Sequence, residues 1–425
     1  MAKKLFIFED DKYGHFFPLA CNRPVYELLC GMRRIREKIE SSFPDAEVIL
    51  LCRDHLKEVL KNRTGHRVNE LDVEDTDEIL LVNGRILPTL AFCEKVRFSK
   101  GEKFYFRGDD LVGWTGRGEG FRNLRSSFEA LRVKGQIKAL KSKADFLEVD
   151  VNMVNFIWDL VSRNRSEIEA DFERIKPDLD FKNMFKHSQV DDQALIYDVE
   201  EVYVGKDSSI DGQVVLDARE GPIFIDERVT IRPHTRVSGP CYVGEDCVLV
   251  GGKVGGGSSI GPVCRIGGEV EESIFLGNSN KCHQGFLGHS YVGEWVNLGA
   301  LTTNSDLKNN YGPVRVMVDG TLVDSGLAKV GAFLGDHVKT GIGTLLNTGL
   351  TIGFASNLFG GGMIEERNIP PFSWVSAGKR EEYRLDKAIE TARAVMKRRN
   401  IELGSEEIDI LKEIFKLTEK ERRKT

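Results

Sequence analysis

The sequence has none of the patterns by which membrane, disulfide-stabilised or nucleic-acid-binding proteins are usually identified. No apolar run approaches the roughly 18 residues of a membrane span, and the opening MAKKLFIFEDD reaches acidic residues after a short apolar run. The eight cysteines form no CxxC pair, which favours reduced thiols. The 60 basic and 66 acidic residues are intermixed and give a net charge of −6. We therefore expect a cytoplasmic protein that binds neither membrane nor nucleic acid.

A phosphate loop of the GxxxxGK[ST] type is also missing. The segment 113–118 (GWTGRG) is rich in glycine but lacks the lysine and the spacing of that loop, and we interpret it as a flexible loop.

The N-terminal part alternates between apolar runs and amphipathic stretches. The runs predict strands at 4–8, 46–52 and 78–82, and the stretches predict helices at 24–40 and 54–61. This alternation predicts an α/β domain with a parallel, Rossmann-like sheet over residues 1–180. Ligands bind beyond the carboxyl ends of such strands, so the loops 9–23 and 83–85 are candidate sites.

Two further helices are predicted at 122–141 and 152–175, and 176–200 is interpreted as a linker or first capping turn.

From about residue 202 an aliphatic side chain recurs at every sixth position, a period that neither an α-helix nor an ordinary sheet has. With phase shifts, the repeat contains Val204, Ile210, Leu216, Ile225, Ile231, Val237, Val243, Leu249, Val254, Ile260, Ile266, Phe286, Val292, Leu298, Ile352, Leu358 and Ile364. The 43 glycines, about 10% of the chain, are concentrated here and suit tight corners. The pattern predicts a left-handed parallel β-helix over residues 190–375 with these side chains inside.

The repeat is interrupted between Leu298 and Val330. Two alternating strands around Asp319-Gly320 predict a hairpin that projects from the coil. Beyond the solenoid, residues 378–425 predict a charged helical tail. Fold analogy also leads us to expect a homotrimer, in which clefts between subunits form the sites.

Polar residues are concentrated in the stretch 279–312, on top of the six-residue repeat. His283 can be a general base near neutral pH, an inert surface histidine, or a metal ligand with His289 and His337. In the same domain, Arg232 is either a phosphate clamp or a solvated arginine. Asn297 and Asn304 either bind a sugar or stack at solenoid corners.

In the first domain, Arg23, Asn83 and Gly84 lie in the two candidate loops and are candidate nucleotide contacts, although an ordinary turn explains Asn83-Gly84 equally well.

An α/β domain followed by a hexapeptide solenoid resembles the bifunctional family that joins N-acetylglucosamine-1-phosphate uridyltransferase to glucosamine-1-phosphate acetyltransferase. More narrowly, the chain is similar to a divergent bacterial branch of sugar nucleotidyltransferases. The likeness is carried by 21–38 (CNRPVYELLCGMRRIREK), 158–172 (WDLVSRNRSEIEADF), 279–300 (SNKCHQGFLGHSYVGEWVNLGA) and 304–316 (NSDLKNNYGPVRV).

The resemblance implies roles for individual residues of the solenoid. His283 matches the acetyl-transfer base and Arg232 a sugar-phosphate contact, whereas Asn297 and Asn304 match sugar or interface contacts. Ala300 lies where the family's acetyl-CoA cleft begins. The family's lysine pair is replaced by Glu271-Glu272, a position for which Lys281 is the candidate substitute.

The first domain departs from the family. The phosphate loop with its lysine is missing, and Gly84-Arg85 stands where the family has a Gly-Asp that binds magnesium. Arginine cannot bind Mg²⁺, so either another acid binds the metal or the chemistry of this domain is lost or altered. The candidate acids are Asp10, Asp11 and Asp109.

The resemblance implies a transferase that uses acetyl-CoA, a sugar phosphate and a nucleoside triphosphate to make an NDP-sugar of the UDP-N-acetylglucosamine type. The alternatives are a protein with only one of the two transfer activities, a non-catalytic sugar-nucleotide-binding protein, and a zinc hydratase.

Overall fold

The computed structural model describes residues 2–99, 101–124, 141, 146–376 and 378–423. The predicted helix at 122–141 lies almost entirely outside the described residues. The chain divides into two compact units. The first consists of Met1–Phe16, Asn22–Leu28 and Arg33–Phe156, and the second of Phe17–Cys21, Leu29–Met32 and Ile157–Thr425.

The first unit is built on a seven-stranded sheet. In spatial order its strands are Arg67–Val68, Glu47–Leu51, Lys3–Phe8, Glu78–Asn83, Asp110–Arg117, Lys103–Arg107 and Phe146–Glu148. The three predicted strands are confirmed and lie side by side in parallel, as their nearly continuous apolar sequences require. The strand Asp110–Arg117 is antiparallel to its neighbours and includes the segment 113–118 up to Arg117, so the interpretation of a flexible loop is wrong. Trp114 and Thr115 there are fully buried.

The helices that the structure describes in the first unit are short. These α-helices are Ile35–Ser41, Lys57–Thr64, Leu90–Lys95 and Gly118–Asn123, and the 3₁₀ turns are Tyr13–Phe16, Val25–Glu27 and Asp54–Leu56. The predicted helix at 54–61 is therefore confirmed, with a 3₁₀ start.

The predicted helix at 24–40 is wrong before Ile35, because the chain is extended at Leu29–Cys30 and Arg33–Arg34. Within the second unit, the backbone N–H groups of this segment bind side chains instead of forming helical hydrogen bonds. Gly31, with a φ of 77°, donates to Asn164 Oδ1 at 2.7 Å, and Met32 donates to Asp171 Oδ2 at 2.9 Å. Only glycine adopts such a φ without strain, so the turn at Gly31 ends any helix.

The second unit is the predicted parallel β-helix, and its strands fall on three faces. The first face contains Gln189–Val190, Ser209–Ile210, Thr230–Ile231, Val248–Val254, Arg265–Glu271, Asn280–Lys281, Lys339–Thr340, Asn357–Phe359 and Ser373–Ser376. The second contains Leu195–Tyr197, Val215–Asp217, Thr235–Ser238, the latter halves of Val248–Val254 and Arg265–Glu271, then Phe286–Gly288, Thr303–Asn304, Thr344–Leu346 and Gly362–Met363. The third contains Val202–Val204, Ile223–Ile225, Cys241–Val243, Ser258–Ile260, Ile274–Phe275, Tyr291–Val292, Phe333–Leu334, Thr351–Ile352 and Asn368–Ile369.

The six-residue repeat forms the interior of this β-helix, as predicted, with one exception. Its aliphatic positions from Val204 to Ile364 are buried in one continuous core. Phe286 is only half-buried, and the core residue of that strand is its neighbour Leu287, which pairs with Val270 of the preceding coil. Because side chains alternate along a strand, Phe286 points outward beside Glu269. The assignment of Phe286 to the interior is therefore wrong.

The predicted hairpin and the second predicted helix are confirmed, whereas the predicted linker is shorter than expected. The predicted hairpin is formed by Arg315–Val318 and Thr321–Asp324, and the helix predicted at 152–175 is Ile157–Ile175. Part of the expected linker already belongs to the first coil, since Gln189–Val190 and Leu195–Tyr197 pair in parallel with the next coil. Shorter helical segments are Lys176–Asp178, Met184–His187 and Val199–Glu201.

The tail has the expected helices, Leu385–Lys397, Ser405–Leu417 and Glu419–Arg422, after a strand Lys379–Glu382 that pairs antiparallel with Ser373–Ser376. The predicted fold class is thus confirmed: an α/β unit, a β-helix and a helical tail. None of the helices within the described ranges combines the length and apolarity that crossing a bilayer demands.

Candidate functional site

The loops after the strands Lys3–Phe8 and Glu78–Asn83 of the first unit meet in a buried polar network. Arg85 Nη2 lies 2.7 Å from Asp10 Oδ2 and 2.9 Å from Asp110 Oδ1. Its Nη1 donates to Val154 O and to Asn155 Oδ1. Burial opposes ionisation of Asp10, but Arg85 and the amide of Asn83 lower the pKa of Asp10 below its usual value. The network therefore holds a carboxylate and a guanidinium as a charged pair.

The three candidate nucleotide contacts all lie in the interior of this unit. Asn83 is fully buried, donates to Asp10 Oδ2 and Leu111 O, and accepts from the Arg85 backbone. A Cβ at Gly84 would lie 2.4 Å from the Tyr26 ring, so glycine is required there for packing. Arg23 is 2% exposed, and its carbonyl accepts a hydrogen bond from Arg53. Their nucleotide-binding roles stay predictions.

Of the three acids proposed for Mg²⁺, Asp10 is already engaged by an arginine. Both oxygens of Asp10 are bonded to Arg85, whereas Asp109 is exposed on the turn before Asp110–Arg117. Across the described part of the chain, no three His, Cys, Asp or Glu side chains come together as a metal site. This also argues against zinc held by His283, His289 and His337. His337 instead stacks on Trp295.

His283 lies at an exposed corner of the β-helix, between the strands Asn280–Lys281 and Phe286–Gly288. Lys281 supports this corner from inside, because its Nζ donates to Gly267 O and His283 O at 3.0 Å each. Burial lowers the pKa of Lys281 to about 8. The lysine is thus committed to backbone carbonyls, and the His283 ring is left facing solvent.

Asn304 is buried on the second face and ties two coils together. Its Oδ1 accepts from Gly288 N at 2.8 Å, and its Nδ2 donates to Gly288 O at 2.9 Å. These two bonds continue the backbone ladder between coils. The amide is therefore engaged within the β-helix.

Next to Asn304 lies a histidine–carboxylate pair that the sequence analysis did not single out. His289 Nδ1 is 2.8 Å from Asp306 Oδ2, with side-chain exposures of 16% and 12%. Burial raises the pKa of Asp306, but the His289 hydrogen bond and the Lys329 charge outweigh it and lower that pKa overall. His289 adopts a φ of 47°, a conformation that the sequence does not reveal.

The remaining candidates are spread over the β-helix. Arg232 is exposed and lies 3.4 Å from Asp211, three coils before the coil of His283. Since coils are about 4.8 Å apart, the two residues differ by roughly 14 Å along the axis. Ala300 is half-buried at the corner above His283, and its carbonyl accepts from Gly343 N. A single chain thus brings Lys281 to His283 but does not bring Arg232 there.

Asn297 belongs to a different group of side chains, on the first face. Asn280 Nδ2 donates to Asn297 Oδ1 at 3.3 Å, and Arg399 Nη2 from the tail donates to Asn280 Oδ1 at 2.8 Å. Lys339 is the next residue of this ladder after Asn297. No sequence pattern indicates that Arg399, more than 100 residues away, joins this group.

Comparison with known proteins supports the resemblance inferred from the sequence. Residues 5–179 match the family model described as sugar nucleotidyl transferase, which confirms that resemblance for the N-terminal part.

Two curated relatives are named as bifunctional proteins. The chain is 36% identical over 96 residues to the bifunctional sugar-1-phosphate nucleotidylyltransferase/acetyltransferase of Sulfurisphaera tokodaii, covering 23% of this chain and 24% of that protein. It is 29% identical over 169 residues to the bifunctional protein GlmU of Shouchella clausii, covering 31% and 34%. The matches thus span only a quarter to a third of these relatives.

Among solved structures, LpxA of Acinetobacter baumannii aligns with 48% of this chain and 76% of that one at 14% identity. The TM-score of 0.21 is too low to carry any further argument.

Proposed function

We propose that the chain is a sugar-phosphate transferase with two activities, nucleotidyl transfer in the first unit and acetyl transfer on the β-helix. The observation that carries the proposal is the match of residues 5–179 to the sugar nucleotidyl transferase model. The names of the curated relatives, which pair the two activities, support it. The product would be an NDP-sugar of the UDP-N-acetylglucosamine type.

In the acetyl transfer, the amine of a hexosamine 1-phosphate attacks the thioester carbonyl of acetyl-CoA. His283 takes the proton of the amine, and the CoA thiolate leaves, so that an amide forms as the thioester breaks. The exposed ring of His283 and the fixed backbone beneath it support this role. Ala300, at the neighbouring corner, would border the acetyl-CoA cleft.

In the nucleotidyl transfer, the sugar phosphate attacks the α-phosphorus of a nucleoside triphosphate and displaces pyrophosphate. Arg23, Asn83 and Gly84 are the proposed nucleotide contacts, and their position in the loops that follow two parallel strands of the sheet supports this role. No step is assigned to a metal, because Asp10, the candidate ligand at this edge of the sheet, is paired with Arg85.

We further propose that the chain works as a cytoplasmic homotrimer. The roughly 14 Å between the Arg232 and His283 coils supports this, because a substrate phosphate near His283 would then contact Arg232 of a second copy. The oligomeric state is measurable by light scattering.

A second candidate function is acetyl transfer alone. It is favoured by the buried Asp10–Arg85 pair, which occupies the carboxylate nearest to the family's metal position. Nucleotidyl transfer without a cation to neutralise the phosphates would be slow.

The test is to incubate the chain with sugar 1-phosphates, nucleoside triphosphates and acetyl-CoA, and to measure pyrophosphate and CoA release separately. The two-activity proposal expects both products, and the single-activity candidate expects CoA alone. Release of neither product by the folded chain would contradict both.

A further inference from the structure

A cavity of about 230 Å³ lies within the second unit, between the first face of the β-helix and the end of the tail helix Leu385–Lys397. Its polar lining consists of three amides and three cations: Asn278, Asn280, Asn297, Lys339, Arg398 and Arg399. No carboxylate is among the described residues that line it. This excess of positive charge suits an anionic ligand.

The amides of this cavity have a fixed orientation. Arg399 can only donate, so the Asn280 atom that it contacts at 2.8 Å is the oxygen. The Asn280 NH₂ group then donates to Asn297 Oδ1 at 3.3 Å. The NH₂ group of Asn297 is consequently left to donate to a ligand, and Asn297 is exposed.

Asn278 contributes an acceptor on the same wall. Its Oδ1 is buried and finds no hydrogen-bond partner within the described part of the protein. A buried acceptor without a donor costs about 1–3 kcal/mol. A rotation of the side chain into the cavity, where a ligand hydroxyl can donate to this oxygen, would remove that cost.

Within the described part of the chain no salt bridge neutralises the cations of the cavity, although the charge of Asp336 acts on Lys339. Lys339 Nζ donates to Trp295 O at 2.8 Å and His337 O at 2.9 Å, and burial lowers its pKa to about 7. Burial, followed by the charge of Arg265, also lowers the pKa of Arg399. A bound anion would stabilise the charged form of both groups. The planar guanidinium of Arg399 also suits the geometry of a phosphate.

We propose that this cavity binds a small phosphorylated sugar. Arg399 and Arg398 hold the phosphate, Lys339 attracts it with its charge, and Asn297 and Asn278 contact the hydroxyl groups. At 230 Å³ the cavity is below the roughly 300–1,000 Å³ of drug-sized ligand sites, so a whole nucleotide sugar is excluded. The sugar part rests on the proposed function, whereas the phosphate part rests on the lining alone.

The test is calorimetric titration of the full chain with glucosamine 1-phosphate, inorganic phosphate and glucosamine. The sugar phosphate is expected to bind at least tenfold more tightly than glucosamine, with inorganic phosphate between them. Arg399→Gln should weaken sugar-phosphate binding at least tenfold. The matched control Lys397→Gln removes the same charge from an exposed position at the end of the helix that precedes Arg399 and should change affinity less than twofold.

Asn297→Asp is the second variant, because it keeps the size of the side chain and the acceptor for Asn280 while placing a negative charge in the cavity. It should weaken sugar-phosphate binding at least tenfold while the circular dichroism stays that of the wild type. Equal affinity of wild type, Arg399→Gln and Asn297→Asp would overturn the proposal, as would the absence of binding to the wild type.

Failure of this inference can be told apart from failure of the proposed function. Phosphate-dependent binding that needs Arg399, without release of CoA or pyrophosphate, would leave the cavity proposal standing and remove the catalytic one. Release of CoA and pyrophosphate, together with an unchanged sugar-phosphate affinity in Arg399→Gln, would remove the cavity proposal and leave the catalytic one standing.

Discussion

Asp10 and Arg85 form an ion pair inside the first unit, with Arg85 Nη2 2.7 Å from Asp10 Oδ2 and both side chains 1% exposed. The two residues follow the strands Lys3–Phe8 and Glu78–Asn83, which are neighbours in the sheet. Arg85 therefore pairs with the carboxylate of Asp10, which would otherwise be the first candidate to bind a metal ion at this edge of the sheet.

Replacing Arg85 by glutamine should destabilise the first unit by about 3–5 kcal/mol, because the carboxylate of Asp10 would stay buried without its partner. The measurement is urea unfolding, with hydrogen exchange of the strand Lys3–Phe8 as the local probe. Arg107→Gln, on a neighbouring strand, is the control and should stay within about 0.5 kcal/mol of the wild type. An equal and small effect of both substitutions would show that the pair contributes little.

The pair illustrates what the sequence predicts and what it does not. The parallel strands follow from local apolar runs, and Arg85 stands out in the sequence because the family resemblance implies an acid at its position. That it pairs with Asp10, 75 residues earlier, depends on which strands become neighbours. Local patterns carry no information on that choice.

Gly84→Ala should cost about 1–3 kcal/mol through overpacking, since the new Cβ would lie 2.4 Å from Tyr26 Cδ1. Thermal unfolding checks this. Gly101→Ala is the matched control, because its Cβ would meet only Ser99 Oγ at 3.9 Å. If Gly84→Ala were as stable as the control but weakened nucleotide binding, the glycine would serve the ligand and not the packing.

His283→Ala should reduce kcat for CoA release by about 10²–10⁴-fold without changing the melting temperature, because the ring is exposed and serves only as the proton acceptor. Pyrophosphate release should be unaffected. The control is His234→Asn, an exposed histidine whose φ of 64° asparagine tolerates. Full CoA release by folded His283→Ala would exclude this residue as the base.

Asp306→Ala should destabilise the β-helix by about 1–3 kcal/mol, because His289 Nδ1 would lose its partner in a mostly buried setting. Asp306→Asn keeps an oxygen acceptor and should recover part of the loss. Thermal unfolding at pH 7 compares the three proteins. Identical stabilities would mean that solvent replaces the carboxylate without cost.

The six-residue repeat predicts the β-helix well because each coil needs its own inward side chains, which makes the signal local and repeated. Phe286 shows its limit, since one outward aromatic residue beside an inward leucine shifts the apparent phase by one position. The sequence does not predict the cavity, for a different reason. It needs Arg399 to lie on Asn280, a contact between residues more than 100 positions apart.

The pKa of Lys339, lowered to about 7 by burial, predicts how anion binding depends on pH. Below pH 7 the amine is charged and attracts an anion, whereas above pH 7 the free protein must take up a proton in order to bind. Sulfate is the suitable probe, since its own charge is constant in this range. Its affinity should fall by up to tenfold per pH unit above 7, until the pKa of the complex is reached. Lys339→Met should abolish this dependence, and a pH-independent affinity in the wild type would exclude Lys339 from the site.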